Sequence, residues 1–246
     1  MKIPNTDAVK PIESYIQTVP EREPTVFKLP QHTINDPGFP ETPKHITAFN
    51  IQGHAYKNND LLALFSKLLP HSYEALLLNG NQMGPTAMNT LSQYLQTNPG
   101  VKHLIMSQTG LTQFAIAGLA DMLKVNREIG WLVLNNNEIE NRAAIQLAAG
   151  LKNNDSVKHL VLSDNHIEDP GIEAIALAIQ SHPRIQTLFI QNNPISAQGI
   201  MALLNACKNH PSLQKIDCRG IDIYPKSLWQ DFRQIAAESQ IKLRFS

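Results

Sequence analysis

The chain has 246 residues, of which 42 % are hydrophobic and 6 % aromatic, and its 21 basic and 21 acidic side chains balance to a net charge of zero. This balance argues against nonspecific binding to nucleic acid or to an anionic membrane surface. No apolar run approaches the roughly 20 residues of a membrane-spanning helix, and the first residues lack the apolar core of a secretory signal.

Residues 1–43 differ in composition from the rest of the chain. They hold half of the sixteen prolines, namely Pro4, Pro11, Pro20, Pro24, Pro30, Pro37, Pro40 and Pro43. Proline at this density disfavours long helices and central strands. We therefore predict an N-terminal arm or cap, which covers the open end of the next domain, fills its groove or stays loose.

Residues 44–246 form a second predicted domain, in which a pattern LxLxxNxI recurs every 28 residues in six copies. The first position of the pattern is occupied by Leu76, Leu104, Leu132, Leu160, Leu188 and Ile216. The LxL part favours a short strand, and the second half of each copy carries a helical stripe such as Ile172, Ile175, Ala176 and Ile179. A fixed period of this length predicts an α/β solenoid with one parallel strand and one helix per repeat.

Both ends of the repeat array lose the consensus, as capping units do. A leading unit around Ile46, Phe49 and Ile51 lies one residue out of register. A last helix through Phe232 and a closing strand through Leu243 are predicted at the other end.

Asparagine marks two positions of the repeat. One column, at the turn after the strand, comprises Asn81, Thr109, Asn137, Asn165, Asn193 and Ile221. Buried amides there can satisfy backbone groups that lose their partners, which Ile221 cannot do, so we expect the sixth turn to differ. The other column, at the helix end, comprises Asn98, Asn126, Asn154, His182 and His210, where we expect partly positive imidazoles against the helix dipole.

The pattern resembles the leucine-rich repeats of the ribonuclease-inhibitor type, over about residues 46–241. The resemblance implies a curved parallel sheet on the concave face, helices on the convex face, and protein recognition by the concave face. Related proteins include ribonuclease inhibitor, GTPase-activating proteins for Ran, sensor regions of innate immune receptors and translocated effectors of intracellular bacterial pathogens. The low aromatic and charge content and the short solenoid are most similar to the effectors.

Alternation along each strand predicts which side chains point outward onto the concave face. The middle outward column is apolar in five successive repeats before it reaches Asp217, and Trp131 between two histidines is a typical binding hot spot. The predicted partner-binding residues are Leu77, His103, Ile105, Trp131, Val133, Asn135, His159, Val161, Ser163, Phe189, Gln191, Asp217 and Arg219. The alternative is that curvature buries these side chains against one another.

Catalytic and metal-binding chemistry is not predicted. The sequence contains no GxxxxGK[ST], HExxH or GxSxG motif, so we expect neither an enzyme nor a cofactor. His103 and His159 lie two strands apart, about 10 Å, with Trp131 between them, which disfavours a shared metal. Arg219 has two interpretations, an arginine finger or a salt-bridge partner of Asp217.

These observations predict a monomeric, non-enzymatic protein-interaction module that binds a protein partner and not nucleic acid. The resemblance suggests a translocated bacterial effector acting on a host protein; the alternative is a regulator of an enzyme, either a GTPase-activating protein resembling the Ran activator or an enzyme inhibitor. Cys207 and Cys218 occupy core positions of the repeat. Unpaired core cysteines favour a cytosolic protein, including one delivered into a host cytosol without a signal peptide.

Overall fold

Strands of three residues alternate with helices of about three turns along most of the chain. The computed structural model describes residues 26–27, 46–66 and 73–245. The strands are β1 (Val26–Phe27), β2 (Ile46–Asn50), β3 (Ala75–Leu77), β4 (His103–Ile105), β5 (Trp131–Val133), β6 (His159–Val161), β7 (Thr187–Phe189), β8 (Lys215–Asp217) and β9 (Lys242–Arg244). The helices are α1 (Asn58–Phe65), α2 (Pro85–Thr97), α3 (Gln113–Val125), α4 (Asn141–Leu151), α5 (Asp169–Ile179), α6 (Ala197–Ala206) and α7 (Leu228–Glu238).

The strands form one sheet in chain order, in which β2 to β9 are parallel. From β3 to β8 each residue pairs with the residue 28 positions later, as between Leu132 and Leu160. The register slips by one at both ends, since Phe49 pairs with Leu76 and Ile216 with Leu243. The predicted repeat, its out-of-register leading unit and its closing strand are therefore confirmed.

The two-residue strand β1 pairs antiparallel with β2 and occupies the amino edge of the sheet. It falls within the proline-rich residues 1–43. The other residues of that segment lie outside the described part of the chain, so the predicted arm and the domain boundary at residue 43 stay predictions.

A continuous apolar core runs between the sheet and the helices. The predicted stripe of α5 faces it, because Ile172, Ile175 and Ile179 have no exposed surface. Cys207 and Cys218 are buried free thiols, and burial raises the pKa of each to about 12. In the described ranges, none of the helices is both long and apolar enough to span a membrane.

The asparagine column after the strands joins neighbouring repeats. Asn165 is 3 % exposed, and its Nδ2 donates to the carbonyl oxygens of Leu134 at 3.0 Å and Leu162 at 2.9 Å. Its Oδ1 accepts from the Ile139 backbone N–H at 3.2 Å. At the sixth position the Ile221 backbone N–H instead lies 3.4 Å from the Cys218 carbonyl, so the turn is closed without a side-chain amide.

The column at the helix ends corrects one expectation. The imidazoles of His182 and His210 accept backbone N–H groups at Nδ1, from Ile185 at 3.2 Å and from Leu213 at 2.9 Å. An accepting nitrogen carries no proton, and burial lowers the pKa of both histidines, that of His182 to about 4. Both rings are therefore neutral and accept backbone N–H groups, as the asparagine side chains of this column do. The prediction of partly positive imidazoles is wrong.

Candidate functional site

The middle column of the concave face is buried. Its five apolar side chains are 0–3 % exposed and form a second cluster with Ala48 and Ala75; they are Leu77, Ile105, Val133, Val161 and Phe189. The expectation of an exposed apolar ribbon is therefore not met, and the alternative in which these side chains are buried describes them better. Their part in partner binding stays a prediction.

An aromatic cluster lies on the amino-terminal flank of this column. The Trp131 ring is 5.8 Å from the His103 ring and 4.2 Å from the His159 ring, measured between centroids. Trp131 is 9 % exposed, so it is not the open aromatic that its position in the pattern suggested. His159 Nδ1 lies 2.9 Å from Thr187 Oγ1, which orders the cluster further.

Both histidines of this cluster are held in their neutral form. Burial lowers the pKa of His103, and it lowers the pKa of His159 to about 4 with smaller contributions from the charges of Lys158 and His103. Within the described residues, no group of three or more histidine, cysteine or acidic side chains is placed to hold a metal ion.

Polar side chains line the carboxyl-terminal flank. We call this column the amide–serine rail; it comprises Asn79, Ser107, Asn135, Ser163 and Gln191, and Arg219 ends it. Asn79 Oδ1 accepts the Ser107 backbone N–H at 2.7 Å, and Ser107 Oγ donates to Asn135 Oδ1 at 2.6 Å. Ser163 Oγ donates to Gln191 Oε1 in the same way.

A groove of about 490 Å³ opens along the rail. It is lined by Gln52, Asn79, Ser107, Gln108, Asn135, Asn136, Val161, Ser163, Asp164, Phe189, Gln191, Asn192 and Arg219. Six of the predicted site residues therefore meet here, whereas the aromatic cluster of Trp131 does not line this groove. The groove offers mainly amide and hydroxyl groups, and only small parts of Val161 and Phe189, which are 3 % and 1 % exposed, reach it.

One wall of the groove was missed by the sequence reasoning. Gln108, Asn136, Asp164 and Asn192 follow the rail column directly, and all have φ between 52° and 56°. This left-handed backbone turns each side chain away from the core, and Asn and Asp tolerate it better than most residues. The 28-residue spacing of three Asx residues was the available signal.

The charged end of the concave face is an ion-pair cluster. Asp217 has no exposed side-chain surface, and Arg219 binds it through Nε at 2.9 Å and Nη2 at 3.1 Å. Lys215 Nζ approaches the same carboxylate at 3.6 Å and the Phe189 ring centroid at 4.5 Å. This geometry favours the salt-bridge interpretation of Arg219 over an arginine finger, because the guanidinium is committed to a buried carboxylate.

Comparison with known proteins agrees with this architecture. A family model described as "Leucine Rich repeat" matches residues 153–176, which span the loop after α4, β6 and most of α5. The fold is a leucine-rich-repeat solenoid.

Solved structures also match, 77 chains in all. One is described as "Leiomodin-1 Actin-Binding Site 2 (ABS2)", with a TM-score of 0.53 and 19 % sequence identity, covering 60 % of this chain and 86 % of that chain. No curated protein matches this chain. A likeness at this identity concerns the leucine-rich-repeat fold alone.

Proposed function

We propose that this leucine-rich-repeat chain is a non-enzymatic module that binds a protein partner on its concave face. The observation that carries the proposal is the groove along the amide–serine rail, where polar side chains lie beside Val161 and Phe189. Hydrogen-bonding groups around a small apolar centre are the composition of a protein-binding surface. Leucine-rich-repeat domains in general act as protein-interaction modules.

The aromatic cluster and the buried middle column support the proposal because they stabilise the sheet next to the groove. Trp131 and Phe189 are 9 % and 1 % exposed, and we propose that their packing keeps the sheet surface rigid. A rigid surface loses little conformational entropy when a partner binds.

The finer form of the proposal is a translocated bacterial effector that binds a host protein in the cytosol as a monomer. Its support is compositional: 6 % aromatic and 17 % charged residues, with many asparagines and glutamines on a short solenoid. Regulation of an enzyme is the alternative form, and the ion pair between Arg219 and Asp217 gives it no additional support.

The test is affinity capture of partners from host-type lysate, followed by titration of each captured protein. Gln108→Lys places a bulky charge on the rim of the groove at an exposed position, and Gln198→Lys makes the same change on the exposed surface of α6. We expect Gln108→Lys to weaken binding at least tenfold and Gln198→Lys to leave it unchanged. Equal binding by wild type and both variants would place the partner elsewhere on the solenoid.

A further inference from the structure

The amide–serine rail alternates strictly between the two residue types. Amides stand on the loops after β3, β5 and β7, and serines on those after β4 and β6, as Asn79, Ser107, Asn135, Ser163 and Gln191. Each amide oxygen accepts a hydrogen bond from a serine: Asn79 from the Ser107 backbone, Asn135 from Ser107 Oγ and Gln191 from Ser163 Oγ. The orientation of every amide is therefore set by the serine beside it.

The opposite end of each amide carries the donors. With the oxygens engaged, the Nδ2 groups of Asn79 and Asn135 and the Nε2 group of Gln191 border the groove, and none of them bonds to a residue in the described ranges. An NH₂ group that borders a groove in this way is ready to bind an acceptor. The rail thus presents three oriented donors and no carboxylate.

The spacing of these donors selects the conformation of the acceptor. Neighbouring strands lie about 4.8 Å apart, so amides on alternate strands recur about every 10 Å. Carbonyl groups on one side of a β-strand recur every two residues, about 6.6 Å, and do not match. A polyproline II helix has three residues per turn and a rise of about 3.1 Å per residue, so its carbonyls recur on one side about every 9 Å.

We propose that the groove binds a proline-rich segment of a partner protein in the polyproline II conformation. The NH₂ groups of Asn79, Asn135 and Gln191 donate to every third carbonyl of that segment, which runs along the groove across the strands. Proline suits this site because it offers carbonyl acceptors, has no N–H of its own and is already ordered. The inference rests on the proposed concave-face function and names the ligand class.

The test is an NMR titration of the ¹⁵N-labelled full chain with acetylated decaproline, read at the side-chain NH₂ resonances. We expect the resonances of Asn79, Asn135 and Gln191 to shift together and saturably. Asn135→Asp and Gln191→Glu replace a donor by an acceptor of the same shape, and each should weaken decaproline binding about fivefold or more. Gln198→Glu on α6 is the matched control and should bind like wild type.

A flexible Gly-Ser decapeptide should bind at least tenfold more weakly than decaproline. Equal affinity for both peptides, or unchanged decaproline affinity in Asn135→Asp and Gln191→Glu, would overturn the inference. If decaproline does not bind while Gln108→Lys still abolishes partner capture, the inference is wrong and the proposed function stands. If the rail binds decaproline but Gln108→Lys leaves partner capture intact, the proline site is upheld and the proposed function is wrong.

Discussion

Replacing Asn165 by alanine tests whether the asparagine column stabilises the solenoid. The Leu134 carbonyl also accepts from Asn137, and the Leu162 carbonyl also accepts from Asn193, so each keeps one hydrogen bond after the substitution. The Ile139 N–H loses its partner and stays buried. One orphaned donor and three lost Nδ2 contacts, to the carbonyls of Leu134, Leu162 and Ser163, predict a loss of about 2–3 kcal/mol in the free energy of unfolding.

Thr109→Ala is the matched control, because Thr109 holds the same column position with fewer bonds. Its Oγ1 donates to the Met106 carbonyl, which also accepts from Asn137, and in the preceding repeat the Met83 N–H bonds to the Thr109 backbone oxygen. No donor is orphaned, so we expect about 1 kcal/mol or less. Urea denaturation followed by circular dichroism measures both, at constant m-value. A midpoint for Asn165→Ala equal to that of wild type, or a cost no greater than that of Thr109→Ala, would refute the reasoning.

Two further predictions concern buried groups. The folded-state pKa values of His159 and His182 lie near 4, below the ordinary value of 6.5, so between these pH values the unfolded chain binds protons that the folded chain does not. The free energy of unfolding should therefore be constant above about pH 6.5 and fall as the pH drops toward 4, by up to about 1.4 kcal/mol per pH unit for each histidine. His182 Nε2 is buried without a hydrogen-bond partner among the described residues. His182→Asn should therefore raise the free energy of unfolding at neutral pH and make it depend less steeply on pH below 6.5. Denaturant titrations at several pH values measure this, and a pH profile equal to that of wild type would contradict the lowered pKa of His182. In α4, a Cβ on Gly150 would lie 2.6 Å from the Ala120 carbonyl oxygen of α3, so Gly150→Ala should lower the free energy of unfolding by about 1–3 kcal/mol. A Cβ on Gly130 meets nothing nearer than 3.9 Å, so Gly130→Ala should be close to neutral by the same assay. Equal losses for the two variants would rule out the close helix contact.

The repeat pattern predicted the architecture because its information is local and redundant. Leucines at fixed positions, such as Leu132 and Leu160, can be buried together only when their strands pair in register, and these two residues are paired in the sheet. The apolar stripe of α5 was predictable for the same reason, because a helix with a single apolar face packs that face against the core. The slipped register at Phe49 followed from counting residues.

Exposure on the concave face was not predictable from alternation. The alternation predicts that the side chains of Val133 and Phe189 point away from the helices. It does not predict their burial, because the exposed fraction of a side chain depends on its packing against residues of neighbouring strands, which is a tertiary property. The state of His182 was missed for a related reason: a helix-end position suggests a dipole interaction, whereas the ring faces backbone N–H groups. The strand at Val26 and Phe27 is too short to stand out among prolines.

The unbroken register from β3 to β8 has a consequence for how such a chain can change length. Because the ladder bonds, the Asn165 contacts and the rail contacts all join residues about one period apart, a tandem duplication of 28 residues within the array would recreate each of them at the new junction. An insertion of a single residue within a strand would move its inward leucines to the outer face. Each added unit would extend the groove by about 4.8 Å, so the reach of the binding surface is tunable in whole repeats, independently of the two end units.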